Sequence, residues 1–454
     1  MRSSKESCLS ISLKRELTFR HVLALILGSV IGSGVFINLP IVAREAGSPL
    51  LSVAAWLIGG LLWLPQLFIL AEMATAYPEE GFGYLYLKKA GSPALGFLYV
   101  WTVFWTSDSP SITILALSAV SALSVFWAPL EQGLYTQLFA VLLILILTAV
   151  HVRSVRKGGG LQVVLTLLKL SPLVLLCVLG VVYFHWEPFL SSAPVKAGAG
   201  KGLSTLLIAG VSGTVWSYAG FTNVLYMAGE MQTPRKTIPR SLLLSVAIVT
   251  GLYTLIAAST HLFVPYPELV AAAGSFANPF LYLPAFARIA AAFLALAAFT
   301  SMVGCINALI MVQPRIEYAI ARDGLFFRPF AHVHPRYRTP DYSILLQSGL
   351  AILLVFVGGI ETLLGYFTLS YLIQNGLVYG TIFFLRRRED YRPSYRSPWW
   401  QGMTWLAILS QLYLIYGTLV AYPLGGVLSA AVLIGTGLPV YVYFRRRQLR
   451  RGQP

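Results

Sequence analysis

The chain has 454 residues, of which 57% are apolar and 11% charged, with a mean hydropathy of +0.73. Soluble domains carry roughly 25% charged residues, so this composition excludes both a soluble enzyme and a disordered chain. Lysine and arginine number 33 against 17 acidic residues, a net charge of +16, which in a membrane protein is a statement about topology before it is one about a nucleic-acid partner.

A spanning helix needs about 20 mostly apolar residues. Twelve such stretches run along the chain, at 21–46, 51–77, 94–126, 134–152, 163–184, 203–229, 242–263, 286–320, 343–357, 362–385, 403–422 and 425–444. Barrel strands would show short alternating segments instead, so the predicted fold class is an all-α membrane protein. The polar segment ahead of His21 is short, and the first apolar stretch is too long for a signal peptide, so no cleavable leader is expected. Cys8, Cys177 and Cys305 are too few and too scattered for a disulfide framework or a thiolate metal site.

With the amino terminus placed in the cytoplasm, 28 of the 33 cations fall on internal segments. Arg44, Lys196, Lys201 and Arg288 lie outside, and Lys169 falls within a span. This asymmetry predicts an even number of spans in the cell membrane with both termini inside. The runs Arg386-Arg387-Arg388 and Arg445-Arg446-Arg447 read as anchors for anionic lipid headgroups.

The first stretch is interrupted by Gly28-Ser29-Val30-Ile31-Gly32-Ser33-Gly34-Val35-Phe36. The sixth is interrupted by Ser212-Gly213 and then Ser217-Tyr218-Ala219-Gly220-Phe221-Thr222-Asn223. Glycine and small polar residues weaken a helix, and unwound backbone is tolerated in a bilayer only where it faces protein or a cavity. The first stretch opens one set of five and the sixth opens the next, the arrangement of an inverted repeat with its site at the breaks. The last two stretches lie outside it. The implied division is an amino-terminal segment at 1–20, a transporter core at 21–390, two further helices at 391–445 and a basic tail at 446–454.

Gly28-x-x-x-Gly32-x-Gly34 lacks the Lys-Ser/Thr pair and the preceding strand of a phosphate-binding loop. It is either a small-residue helix contact or a ligand cradle, and the matching break in the sixth stretch favours the cradle. Free amides at the start of the following half-helix suit a carboxylate. Carbonyls released by the preceding half suit an ammonium group, and an α-amino acid carries both on one carbon.

Ionisable residues within spans are costly. Lys169, about 9 Å into the fifth stretch at ~1.5 Å per residue, either snorkels to the interface or reaches carbonyls of the broken first helix and hydroxyls such as Thr300 or Ser301. A fixed cation there would stand where a sodium ion sits in a coupled transporter. Glu72, near the end of its stretch, reads as an interfacial structural carboxylate. Asp108, beside Ser107, Ser109 and Pro110, is more interior and is either a proton site or a hydrogen-bonded structural group. His332-x-His334 lies in a basic loop without a carboxylate cluster and reads as loop rather than metal ligand. No Ser-His-Asp order, zinc spacing or acidic catalytic cluster lies at membrane depth, so neither an enzyme nor a cofactor is expected. A channel would need a continuous polar pore, whereas the polar signal is concentrated at two breaks.

At these residues the chain resembles the amino acid–polyamine–organocation superfamily, which has the LeuT fold, and within it the L-amino acid transporter (LAT) family. The resemblance covers nearly the whole chain. Its marks are the glycine run of the first stretch, Ala71-Glu72-Met73, Gly81-Phe82-Gly83-Tyr84-Leu85-Tyr86, Leu168-Lys169-Leu170, Gly229-Glu230-Met231-Gln232-Thr233-Pro234, Gly304-Cys305-Ile306-Asn307 and Pro314-Arg315. His332-Val333-His334-Pro335 through Thr339-Pro340 looks like the corresponding loop of bacterial serine/threonine exchangers.

The resemblance implies twelve spans in a LeuT-like 5+5 inverted repeat, with discontinuous helices 1 and 6 plus two extra helices. It implies that Ser33 and Gly34 bind the substrate carboxylate, that the carbonyls of Val30, Trp216 and Ala219 take the amine, and that the Trp216 ring closes an external gate. Lys169 would stand in for sodium, with Ser29 and Ser301 as candidate partners. The chain departs from the family pattern at Trp216, where phenylalanine is usual, and at Ala219-Gly220-Phe221, where many members read Gly-Gly-Trp. Eukaryotic members use a cysteine to bind an accessory glycoprotein; 128–136 has none, so no disulfide-linked subunit is expected. The function implied is sodium-independent exchange of small neutral L-amino acids, with a proton-coupled symporter using Asp108 or Glu72 as the alternative.

Overall fold

Lipid offers the backbone no hydrogen bonds, so a spanning chain must satisfy its peptide groups internally. Here it does so with helices. The computed structural model describes residues 13–32, 34–182, 202–273, 278–282, 288–357, 360–421 and 423–450. Among the described residues the extended pairing is one isolated parallel bridge, Leu17 with Met231.

In chain order the helices are α1 (Phe19–Val30), α2 (Gly34–Ala46), α3 (Pro49–Leu61), α4 (Leu64–Ala76), α5 (Phe82–Lys89), α6 (Pro93–Val103) and α7 (Ser109–Ser121). Then come α8 (Leu134–Arg153), α9 (Val155–Val182), α10 (Leu203–Thr214), α11 (Pro234–Phe263), α12 (Tyr266–Ala271), α13 (Ala290–Val312) and α14 (Pro314–Arg322). The chain closes with α15 (Asp341–Leu354), α16 (Ile360–Gly380), α17 (Ile382–Leu385), α18 (Trp400–Ala421) and α19 (Pro423–Arg450).

Eight helical stretches among the described residues are long and apolar enough to cross a membrane: Pro49–Ala76, Pro93–Val125, Leu134–Arg153, Val155–Val182, Pro234–Phe263, Ala290–Arg322, Trp400–Leu419 and Leu424–Arg450. Phe19–Val30 and Asp341–Leu354 are shorter apolar helices. Of the twelve sequence stretches, the first and sixth are broken within their length, and the ninth overlaps a helix of 14 residues, Asp341–Leu354. The third bends through a π turn, Phe104–Asp108. Pro110 lacks the N–H that would bond the Thr106 carbonyl, which loosens the helix there.

Helices overrun the apolar stretches at their polar ends, because a helix satisfies its backbone whatever its side chains. The α9 helix begins at Val155, where the Ser154 hydroxyl accepts the Lys157 N–H at 3.2 Å. Lys169 therefore lies about 21 Å from the helix start at ~1.5 Å per residue, not the ~9 Å that the apolar pattern suggested. Likewise α19 continues to Arg450, so 446–450 is helical.

The chain's packing centre is α13 with α14, whose spanning window is 78% buried, against 17% for α18 and 22% for α19. The last two helices are thus peripheral. The α1 helix packs on α9, α11 and α13, while α2 packs on α10 and α3. From Leu17 the amino-terminal segment is docked: its N–H donates to the Glu230 carbonyl, and its carbonyl accepts the Gln232 N–H, both at 3.0 Å.

Candidate substrate and ion site at two helix breaks

The first break begins after Val30. Ile31 is extended (φ −78°, ψ 95°) and donates to the Leu27 carbonyl, and helix resumes at Gly34. The carbonyls so released are taken by three neighbouring helices. Lys169 Nζ on α9 donates to the Gly28 carbonyl at 2.9 Å and the Ile31 carbonyl at 2.7 Å. On α13, Ser301 Oγ donates to Ile31 at 3.3 Å and Cys305 Sγ to Gly28 at 3.2 Å. Tyr253 on α11 donates to Val30 at 3.2 Å.

The lysine is 1% exposed. Gly304 makes its room: a Cβ there would sit 2.7 Å from Lys169 Cε and 3.0 Å from Nζ. Along the same face of α9, Thr166 donates to the Ala24 carbonyl at 3.1 Å, and Gln162 accepts from Asn307 Nδ2 at 2.7 Å. Asn307 in turn pairs with His151 Nε2 at 2.9 Å. Helical spacing at 162, 166 and 169 produces this polar stripe, and it fixes α9 against α1.

The second break follows α10. A 3-10 turn, Val215–Tyr218, leads to extended Ala219, and a second, Asn223–Glu230, precedes α11. Gly220 between them has φ +117°, and a Cβ on it would lie 2.8 Å from the Ser29 carbonyl oxygen. Only glycine combines that backbone with so close an approach. Asn38 Nδ2 donates to Ser217 Oγ at 2.7 Å, so α2 is tied to the second break. Tyr218 donates to the Trp56 carbonyl at 2.7 Å, and its ring centroid is 5.1 Å from that of Tyr253.

Of the residues read as a substrate cradle, Val30 is buried, and Gly34 and Ala219 are half-buried at the breaks. Ser33 lies outside the described residues. The Trp216 side chain is 61% exposed, and its carbonyl accepts the Ala219 N–H at 3.3 Å. Ser29 is not among the hydrogen-bond partners of Lys169; its carbonyl instead faces Gly220. Thr300 turns back to its own helix, donating to the Leu296 and Ala297 carbonyls. Cys305, to which the sequence reading assigned no chemistry, lies 3.6 Å from the lysine ammonium.

A family profile described as amino acid permease matches residues 17–439. The chain belongs to the amino acid permease family. Among relatives of this permease, the serine/threonine exchanger SteT of Bacillus subtilis (strain 168) is 27% identical over 447 residues, covering 96% of this chain and 98% of that one. The b(0,+)-type amino acid transporter 1 of Mus musculus is 24% identical, over 95% and 88% of the two chains. The human cystine/glutamate transporter is 25% identical, over 96% and 86%. The permease is a multi-pass membrane transporter of the superfamily to which its motifs pointed, and it is not an enzyme.

The permease's other titratable groups sort by their partners. Glu72, fully buried, receives Arg386 Nε at 2.7 Å and Nη2 at 2.6 Å, the Tyr391 hydroxyl at 2.9 Å and the Ser397 N–H at 2.7 Å. Arg386 also stacks on Trp400, 4.3 Å from the ring centroid. Arg386 is therefore bound within the protein, because the turn after α17 aims it back at α4. Arg388 bonds Asp390 at 2.8 Å and, with help from the Tyr77 hydroxyl, holds that carboxyl below its ordinary range. His332 pairs with Asp341 at 2.7 Å, and His334 accepts the N–H groups of Arg336 and Tyr337 at 3.2 Å. Asp108 is buried in the π turn, and its Oδ2 accepts no hydrogen bond from the described residues.

Proposed function

We propose that the permease is a sodium-independent exchanger of small neutral L-amino acids, working by alternating access in the cell membrane. In this reading it has twelve spans in a LeuT-like 5+5 inverted repeat, with both termini in the cytoplasm, and needs no disulfide-linked accessory subunit. The observation that carries it is the Lys169 ammonium lodged on the Gly28 and Ile31 carbonyls. Unwound carbonyls between half-helices are the groups that gather a coupling cation in such transporters. A covalently held cation on them makes a dissolved one unnecessary.

The substrate carboxylate would take the amides of Ser33 and Gly34 at the start of α2. Its ammonium would take the carbonyls of Val30, Trp216 and Ala219; those of Val30 and Trp216 already accept one bond each and keep a second lone pair. No charged residue occurs within 28–36 or 212–223, so an ionised substrate side chain would find no partner from the breaks themselves. Small neutral substrates fit that environment. Exposed in this structure, the Trp216 ring would have to swing inward to cover a bound amino acid. The relatives' names, a serine/threonine exchanger among them, support amino acid exchange. A proton-coupled symporter is the second reading, favoured by the unpartnered oxygen of Asp108.

Proteoliposomes separate the two. Vesicles preloaded with unlabelled serine should take up labelled serine far faster than empty ones, equally well in sodium and in choline buffers. Equal rates in loaded and empty vesicles would remove the exchanger, and loss of uptake under a proton ionophore at fixed internal serine would establish the symporter.

A further inference from the structure

Two buried carboxyls stand outside the cradle and the Lys169 site. Asp108 ends the π turn Phe104–Asp108, and Glu317 lies in the first turn of α14. Their exposures are 1% and 0%. Asp108 Oδ2 and both Glu317 oxygens accept no hydrogen bond from the described residues, and the two side chains are near neighbours.

The cations of α14 and its neighbours have carboxylate partners of their own. Arg315 donates to Glu230 through Nε at 2.7 Å and Nη2 at 3.4 Å, leaving Nη1 without a partner among the described residues, but residues two apart on a helix do not share a face. Arg322 is held by Glu80 at 3.2 Å and Lys88 of α5 by Asp323 at 2.6 Å, while the His332 ring, ahead of α15, pairs with Asp341, the first residue of that helix. The remaining titratable neighbours of Asp108 are Tyr99 of α6, Tyr226 of the turn before α11 and Tyr371 of α16. Tyr99 and Tyr226 bond each other at 3.0 Å. Two adjacent carboxylates whose oxygens, Asp108 Oδ2 and both of Glu317, accept no hydrogen bond from the described residues cannot both remain ionised in a dry interior, and sharing one proton removes both the repulsion and the missing donor.

We infer that Asp108 and Glu317 form a proton-binding site, one proton lying between Asp108 Oδ2 and a Glu317 oxygen so that the pair carries a single negative charge. The bound proton ties the π turn of the third span to α14. Its loss at alkaline pH sets two like charges against each other and loosens that contact. π turns are frequent at functional sites, and this one places its only ionisable side chain against the partner carboxyl. The inference is independent of which amino acid is carried.

Infrared spectroscopy of the purified permease in heavy water tests it directly. The wild type should show a protonated-carboxyl stretch at neutral pH that disappears on alkaline titration. The double variant D108N/E317Q should lack it, and Glu317→Gln alone, close to isosteric, should shift its titration even if the double variant does not fold. A wild-type spectrum without the band, or a band unchanged in these variants, would overturn the proposal. So would a sodium-dependent thermal shift present in the wild type and absent from the double variant, which would mark a metal-cation site. In proteoliposomes, wild-type exchange should fall by up to about tenfold per pH unit above the titration point, as loss of one required proton dictates, and the double variant should lose that fall. Identical alkaline profiles would also overturn it. Absence of exchange at every pH counts against the exchanger reading instead, and leaves the spectral test to decide the proton site.

Discussion

Lys169 shows at the scale of one residue how a charge is kept inside a bilayer. Burying an ammonium costs much unless it is hydrogen-bonded, and the break in the first helix supplies two carbonyls with no helical partner. Charge-assisted bonds contribute about 1.5–3 kcal/mol each, so losing the worth of one of them at the transport barrier should make Lys169→Ala exchange roughly 10- to 100-fold slower while the protein still elutes as a folded species. Unchanged kinetics would return the lysine to a structural role. Its importance was legible in the sequence because a cation inside an apolar stretch is rare. Its distance from the helix start was not, since that start depends on the Ser154 cap rather than on apolarity. Cys305 and Gly304 escaped a role because a thiol or a missing Cβ acquires meaning only from what packs against it. Glu317 fell inside the eighth apolar stretch beside Arg315, and nothing in the sequence says that Arg315 turns to Glu230 instead.

Between elements, the Glu72 cluster joins α4 to the segment after α17. Fully buried Glu72 receives a bidentate guanidinium, a phenol and a backbone amide, so that 391–397 is fastened to the bundle rather than hung from it. Breaking a buried pair by removing one partner costs about 3–5 kcal/mol, and the low end applies here because Arg386 is 23% exposed. Glu72→Gln should therefore lower the apparent Tm markedly. Glu72→Gln with Arg386→Gln should cost less than the two single changes summed; simple additivity would show that the pair is not coupled. The sequence placed Glu72 near a helix end as a structural carboxylate or, alternatively, a proton site, and read Arg386 as facing lipid. Arginine runs at span ends look alike whether they face headgroups or fold back, and the turn geometry decides.

For the whole molecule, the charge asymmetry makes a topological prediction. In a background with Cys8 and Cys177 replaced, Gln132→Cys, on the exposed connection before α8, should react with a membrane-impermeant maleimide in intact cells. Lys157→Cys, exposed at the start of α9, should react only after permeabilisation. The reverse pattern would invert the orientation.

The sequence by itself determined that this is a helical membrane protein, where its helices break, which family it resembles and which charge is out of place. Each of these follows from composition, periodicity or motif order along the chain, because lipid allows the backbone so few alternatives. Tertiary structure alone decided what the broken ends hold: Gly220 pressed on the Ser29 carbonyl, Tyr253 on Val30, and the ammonium on Gly28 and Ile31. Those contacts join residues more than a hundred positions apart. Their partners are selected by the packing of α1 among α9, α11 and α13, which no local pattern encodes.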